Sequence, residues 1–133
     1  MTGKTQVSAK SKIRNATRTE YDGIKFRSKL EAYTYKRLKE ENFNNFRYEE
    51  ITYDIIEKFE YMGEKVRAVK MTPDFIDPDN KILIEVKGYA NDVYPLKKKL
   101  LKRYMKINNL DFTMFEVKNQ KQVEEVIKQL KTK

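Results

Sequence analysis

The spacing of hydrophobic positions changes period several times along this chain, and the changes mark its elements. Leu30, Tyr33, Thr34 and Leu38 recur at helical spacing, with Lys36 and Arg37 toward the edge of the stripe, predicting a helix from about Ser28 to Asn42. From Phe46 to Glu60, the β-favouring residues Phe46, Tyr48, Ile51, Tyr53, Ile55, Ile56 and Phe59 predict extended chain. Met62-Gly63-Glu64 is expected to turn it into a second strand, about Lys65 to Phe75. Asp77-Pro78-Asp79-Asn80 is a dense turn signal, followed by a third strand over Lys81–Lys87 and then Gly88. That strand is apolar on both faces in its first half, so its expected place is the middle of a sheet covered on each side.

Pro95 stands where a first helical residue would, and Leu96, Leu100, Leu101, Tyr104 and Ile107 form a helical stripe ending at Asn108-Asn109. Asp111 to Val117 is a fourth predicted strand. Asn119 and Gln122 have the spacing of a capping box, for a last helix with Val123, Val126, Ile127 and Leu130 on its inner face. The order αβββαβα follows. Tight turns make the first three strands antiparallel, whereas the strand-helix-strand unit requires a parallel, right-handed crossover. The expected fold class is therefore α/β (α+β): a mixed four-stranded sheet flanked by helices.

The chain has 133 residues, a size that suits one domain. Residues 1–20 lack apolar periodicity and carry Lys4, Lys10, Lys12, Arg14 and Arg18 against the single acid Glu20. They are expected to be a flexible basic arm, with residues 21–133 as a single domain. A plain disordered terminus and a phosphate-contacting arm both fit that composition. No stretch approaches the roughly 18 apolar residues of a membrane span, and the first residues lack a signal-peptide core, so a cytoplasmic protein with no membrane partner is expected.

Charge and composition narrow the chemistry. Twenty-nine Lys+Arg against 20 Asp+Glu give a formal +9, which makes a polyanion the first partner to consider. With no Cys and no His, a Cys/His zinc site, a disulfide, a Ser-His-Asp triad, a Cys nucleophile and a His base are all excluded. Catalysis would have to run on carboxylates, lysines, hydroxyls and recruited metal ions.

One constellation meets that requirement. Glu85 and Lys87, two residues apart on a strand, project from the same face, and a hairpin through the Asp77–Asn80 turn can bring Asp74 beside Glu85. Adjacent carboxylates repel and so seat a hard divalent cation such as Mg²⁺, with Mn²⁺ expected to substitute. Phosphodiester hydrolysis uses such an ion, with Lys87 orienting water or stabilising the transition state. The plain alternative for Glu85 and Lys87 is an ion pair at a sheet end. Glu31 is a third acid. Ser28-Lys29-Leu30-Glu31 fits a Ser-x-x-Glu capping box, which periodicity favours over a role as a further metal ligand. Lys97, Lys98, Lys99, Lys102 and Arg103 form a basic helix face, either merely solvated or facing a nucleic-acid backbone, and Arg27 and Lys29 could extend it.

Phe26-Arg27-Ser28-Lys29-Leu30-Glu31, Tyr48-Glu49-Glu50, Thr72-Pro73-Asp74-Phe75, Ile84-Glu85-Val86-Lys87-Gly88 and the Lys97–Leu101 run together resemble the restriction-endonuclease-like PD-(D/E)xK superfamily. Within it they are most similar to the endonuclease I group of T-odd phages, which resolve four-way DNA junctions, and to related small phage nucleases. The resemblance covers about residues 21–117. It implies a restriction-endonuclease-like fold, Asp74, Glu85 and Glu31 as metal ligands, Lys87 as catalytic lysine, and a homodimer cutting branched DNA without a small-molecule cofactor. A phage enzyme would act in a bacterial host cell. The longer Ile51–Val69 stretch is a departure, which puts strand exchange between subunits in question. A general or sequence-specific DNA-processing nuclease and a non-catalytic DNA-binding protein are the alternatives.

Overall fold

The computed structural model describes residues 18–87 and 93–132. Most of the expected basic arm, and Gly88 with the loop after it, lie outside these described residues. The described residues gather into two compact units, one from 18–43, 86–87 and 117–132, the other from 44–85 and 93–116.

In the first unit the chain is already extended at Thr19. Strands β1 (Thr19–Tyr21) and β2 (Ile24–Phe26) form an antiparallel hairpin. Asp22 and Gly23 have φ of 57° and 77°, the left-handed pair that a two-residue hairpin turn demands. These strands have no counterpart in the expected order of elements, because three-residue strands carry too little periodicity to register. Helix α1 (Lys29–Glu40) begins one residue after Ser28, whose side chain accepts the Glu31 N–H at 3.1 Å. The expected box is thus half realised: the Glu31 carboxylate reaches the Arg27 N–H at 2.9 Å rather than that of Ser28. Helix α3 (Gln120–Lys131) buries Val123, Val126, Ile127 and Leu130, the face expected of it. Its Asn119 cap accepts the Gln122 N–H at 2.9 Å, and Gln122 accepts the Lys118 N–H at 2.7 Å. Arg37, on the half-buried flank of α1, binds both carboxylate oxygens of Glu124 on α3, at 2.7 and 2.8 Å.

The second unit contains a four-stranded sheet in the order β10-β9-β8-β3, built from β3 (Arg47–Tyr48), β8 (Phe75–Asp77), β9 (Ile82–Val86) and β10 (Thr113–Val117), the last residues of β9 and β10 falling in the first unit. β8 runs antiparallel to β3 and to β9. The Thr113 N–H bonds the Lys81 carbonyl and the Lys87 N–H bonds the Val117 carbonyl, each at 2.8 Å. Both numbers rise together, so β9 and β10 are parallel and the sheet is mixed, as expected. Ile82, Leu83 and Ile84 are buried, in keeping with a central strand.

Two long strands had been expected over 46–60 and 65–75, and the structure corrects both. The chain instead forms β4 (Tyr53–Ile56), which pairs with β7 (Val69–Met71), and a separate hairpin of β5 (Phe59–Tyr61) and β6 (Glu64–Val66). Only β3 and β8, at the two ends of these stretches, enter the main sheet. Glu49 at φ 49° redirects the chain after β3, and Pro73, which has no N–H to give a ladder, separates β7 from β8. The Met62-Gly63 turn lies where expected, with φ of 50° and 82°.

Helix α2 (Tyr94–Ile107) packs Leu101 and Met105 into a core with Ile55, Met71, Ile76 and Leu83. Leu96 and Ile107 had been assigned to its inner stripe but are each 58% exposed. The buried line instead runs through Leu101 and Met105, and 3.6-residue periodicity turns positions 96 and 107 about 120–180° away from it. Among the described residues no helix is long and apolar enough to cross a membrane.

Candidate active site

The antiparallel register pairs Phe75 with Ile84, so the next step along the ladder sets Asp74 beside Glu85. The two are tied directly: a Glu85 carboxylate oxygen accepts the Asp74 backbone N–H at 2.9 Å. Asp74 is buried, and Thr72-Pro73 leads the chain into it immediately before β8. The hairpin anticipated from the Asp77–Asn80 turn thus produces the juxtaposition expected of it.

Glu49 joins this pair; sequence reasoning had named it only within the Tyr48-Glu49-Glu50 block and had given it no role. Its N–H donates to the Asp74 carbonyl at 2.9 Å, and one of its carboxylate oxygens lies within 4.8 Å of one from Asp74. The signal that could have found it was the short antiparallel pairing of β3 with β8, which ends at Tyr48 opposite Phe75. Asp74, Glu85 and Glu49 offer only hard oxygen donors, the chemistry that fits a divalent cation of the Mg²⁺ type.

Glu85 also lines a cavity of about 80 Å³ beneath α2, together with Tyr94, Lys98, Lys102 and Glu116 over an apolar floor that includes Met71 and Leu83. Tyr94 donates its hydroxyl to Glu116 at 2.6 Å, and Lys98 Nζ stands 3.4 Å from the same oxygen. Burial, the hydrogen bond to Glu116 and the negative charges of Glu85, Glu116 and Asp74 push the Tyr94 phenol well above its ordinary range. The phenol therefore stays protonated and acts as a neutral donor.

The remaining expected site residues have these positions. Lys87 follows β9 and holds the Val117 carbonyl through its N–H; strand alternation directs it to the face of Glu85. Glu31, in the first unit, is 4% exposed and is bound through its carboxylate to the backbone and guanidinium of Arg27, the latter at 3.4 Å. Arg27, grouped with the basic track, thus also has an intramolecular partner. Of the cations on α2, Lys98 and Lys102 line the Glu85 cavity, while Lys99 and Arg103 are exposed and Lys97 is half-buried. Lys29, the first residue of α1, is exposed.

The model of a family described as protein of unknown function (DUF1064) matches residues 10–124 of the chain. No curated protein and no solved structure matches it.

Proposed function

The chain belongs to the DUF1064 family, and we propose, from its acidic site, that it is a Mg²⁺-dependent endodeoxyribonuclease acting on branched DNA. The observation that carries this reading is the hydrogen bond from the Asp74 N–H to the Glu85 carboxylate, which sets two acidic side chains next to each other on adjacent strands. Carboxylates so placed repel each other in the absence of a cation and are stabilised by one.

In this reading Asp74 and Glu85 hold the metal, with Glu49 as an added donor. Held there, a divalent cation would supply positive charge against the phosphate oxygens of the substrate. Asp74 is held in place by backbone at both ends, its N–H on Glu85 and its carbonyl on Glu49, so its carboxylate is pre-oriented. Lys87, two residues from Glu85, is suited to orient the attacking water or to stabilise charge in the transition state. Lys98 and Lys102 offer phosphate contacts beside Glu85. Glu31 enters the reading as a further acid through the resemblance to the PD-(D/E)xK superfamily, which also supplies the restriction-endonuclease-like fold, the preference for branched DNA and a homodimer that makes paired incisions.

The test is incubation with a labelled four-way junction, a nicked duplex and a linear duplex, each with Mg²⁺, with Mn²⁺ and with chelator. Cleavage of the junction that chelator abolishes is expected, with Asp74→Asn and Glu85→Gln each slowing it on the order of a thousandfold. Equal cutting of all three substrates removes the preference for branches, and a fixed cut on linear duplex identifies a sequence-specific nuclease. A wild-type protein that binds DNA but cuts nothing with either ion is a non-catalytic binder.

A further inference from the structure

Glu116 has no place in the metal set, yet it stands in line with it. The bonds from the Thr113 N–H to the Lys81 carbonyl and from the Lys87 N–H to the Val117 carbonyl set Ile82 beside Thr113 in the parallel pair. The same offset places Glu85 beside Glu116, while the β8–β9 register places Asp74 on the other side of Glu85. Three acidic positions thus form a row across β8, β9 and β10 on one face of the sheet. A third uncompensated carboxylate in this row would repel an incoming phosphate.

The compensation comes from a single helix face. Tyr94 is the first residue of α2 and Lys98 is one turn further on, so both reach the same Glu116 oxygen from the same side. The two contacts differ in kind. The Tyr94 bond, at 2.6 Å and from a phenol that remains protonated, is short and charge-assisted. The Lys98 contact, at 3.4 Å from an ammonium about one-third exposed, is loose enough to be exchanged. α2 has no side-chain cap at Val93, so the Tyr94 bond also ties down a first turn that lacks the usual fastening.

We propose that Tyr94 and Glu116 are positioning residues that anchor the first turn of α2 and hold the Lys98 ammonium beside Glu85, where it takes a phosphate next to the one being cut. This rests on the nuclease reading and adds to it the device that presents one particular lysine of the basic helix. Lysine is long and flexible and loses rotamer freedom when it binds; parking it on Glu116 removes much of that freedom beforehand. When DNA arrives, phosphate oxygens replace Glu116 as the partner of Lys98, while Tyr94 remains bonded to Glu116 and keeps that carboxylate turned from the DNA.

Steady-state cleavage of a four-way junction, with binding measured by anisotropy in the Asp74→Asn background, tests the proposal. Lys98→Gln is expected to raise KM about fivefold with kcat nearly constant, and to lower the slope of log affinity against log salt by about one. Tyr94→Phe should raise KM similarly, with only a small fall in melting temperature. The double variant should lose no more than Lys98→Gln alone, because Tyr94 acts through Lys98. Additive losses, or a Lys98→Gln protein indistinguishable from wild type, overturn the proposal. Should Tyr94→Phe melt early, Glu116→Gln carries the test: it keeps an acceptor for Tyr94 but releases Lys98, so KM must rise in the wild-type background and stay unchanged in Lys98→Gln. Wild type that neither binds nor cuts DNA defeats the nuclease reading itself, whereas wild type that cuts and variants that match it defeat only this inference.

Discussion

Asp74 and Asp77 lie three positions apart, are both buried, and differ in what their carboxylates do. Asp77 accepts the Asn80 N–H at 3.0 Å with one oxygen and the Asn80 side-chain amide at 2.8 Å with the other, closing the turn between β8 and β9. Its role is structural, an aspartate folding its own chain back on itself. Asp77→Ala leaves Asn80 without these acceptors and is expected to cost about 1–3 kcal/mol, measured as a lowered urea midpoint with an unchanged m-value. Sequence inspection recognised the turn and the Pro-Asp step as separate signals, and their positions relative to Glu85 followed from hairpin register alone. Glu49, Glu116 and Tyr94 escaped that reasoning, because each meets its partner through a pairing between strands or a helix-to-strand contact that no local spacing records.

The link between α1 and α3 is electrostatic as well as apolar. The Arg37 guanidinium, bound to both oxygens of Glu124, and the Tyr33 hydroxyl hydrogen-bonded to the same carboxylate hold Glu124 at about 2, below its ordinary 4.5. A carboxyl depressed on folding contributes stability above its unfolded value and loses that contribution as pH falls through the folded one. The window is therefore pH 4.5 down to about 2. Glu124→Gln should melt below wild type at pH 7, and the gap should close as the pH approaches 2, as followed by thermal unfolding at intervals across that range. The gap is expected to be modest because Glu124 is 41% exposed and solvent screens the pair. Arg37 had been placed only at the edge of the α1 stripe; its partner sits 87 residues away, beyond the reach of any periodicity argument.

For the whole chain the dominant feature is charge. A formal +9 makes a polyanion the first partner to test, and a polyanion ligand obeys counterion release. On the proposed function, affinity for a four-way junction should fall on the order of a thousandfold between 50 and 200 mM salt, as log affinity against log salt with a slope of several units. A shallow slope would mean that the cations of α2 and the N-terminal segment do not engage the phosphate backbone. On the proposed function, a chain without cysteine or histidine places catalysis on carboxylates, lysines, hydroxyls and recruited metal ions, and Asp74 and Glu85 are the carboxylates it would use.

Periodicity, turn residues and caps act over a few neighbouring positions, and what they specify was written locally: the three main helices, the Ser28 and Asn119 caps, the buried run of β9, the turns at Asp22-Gly23, Met62-Gly63 and Asp77–Asn80, and the hairpin that joins Asp74 to Glu85. The division of two expected strands into short pieces, the outward rotation of Leu96 and Ile107, the row of Asp74, Glu85 and Glu116, and the Tyr94 hydroxyl bound to that row depend on how distant segments pair. Those were decided only by tertiary structure, because the alignment of strands across a crossover is set by which side chains fill the core together and not by the spacing of any one segment.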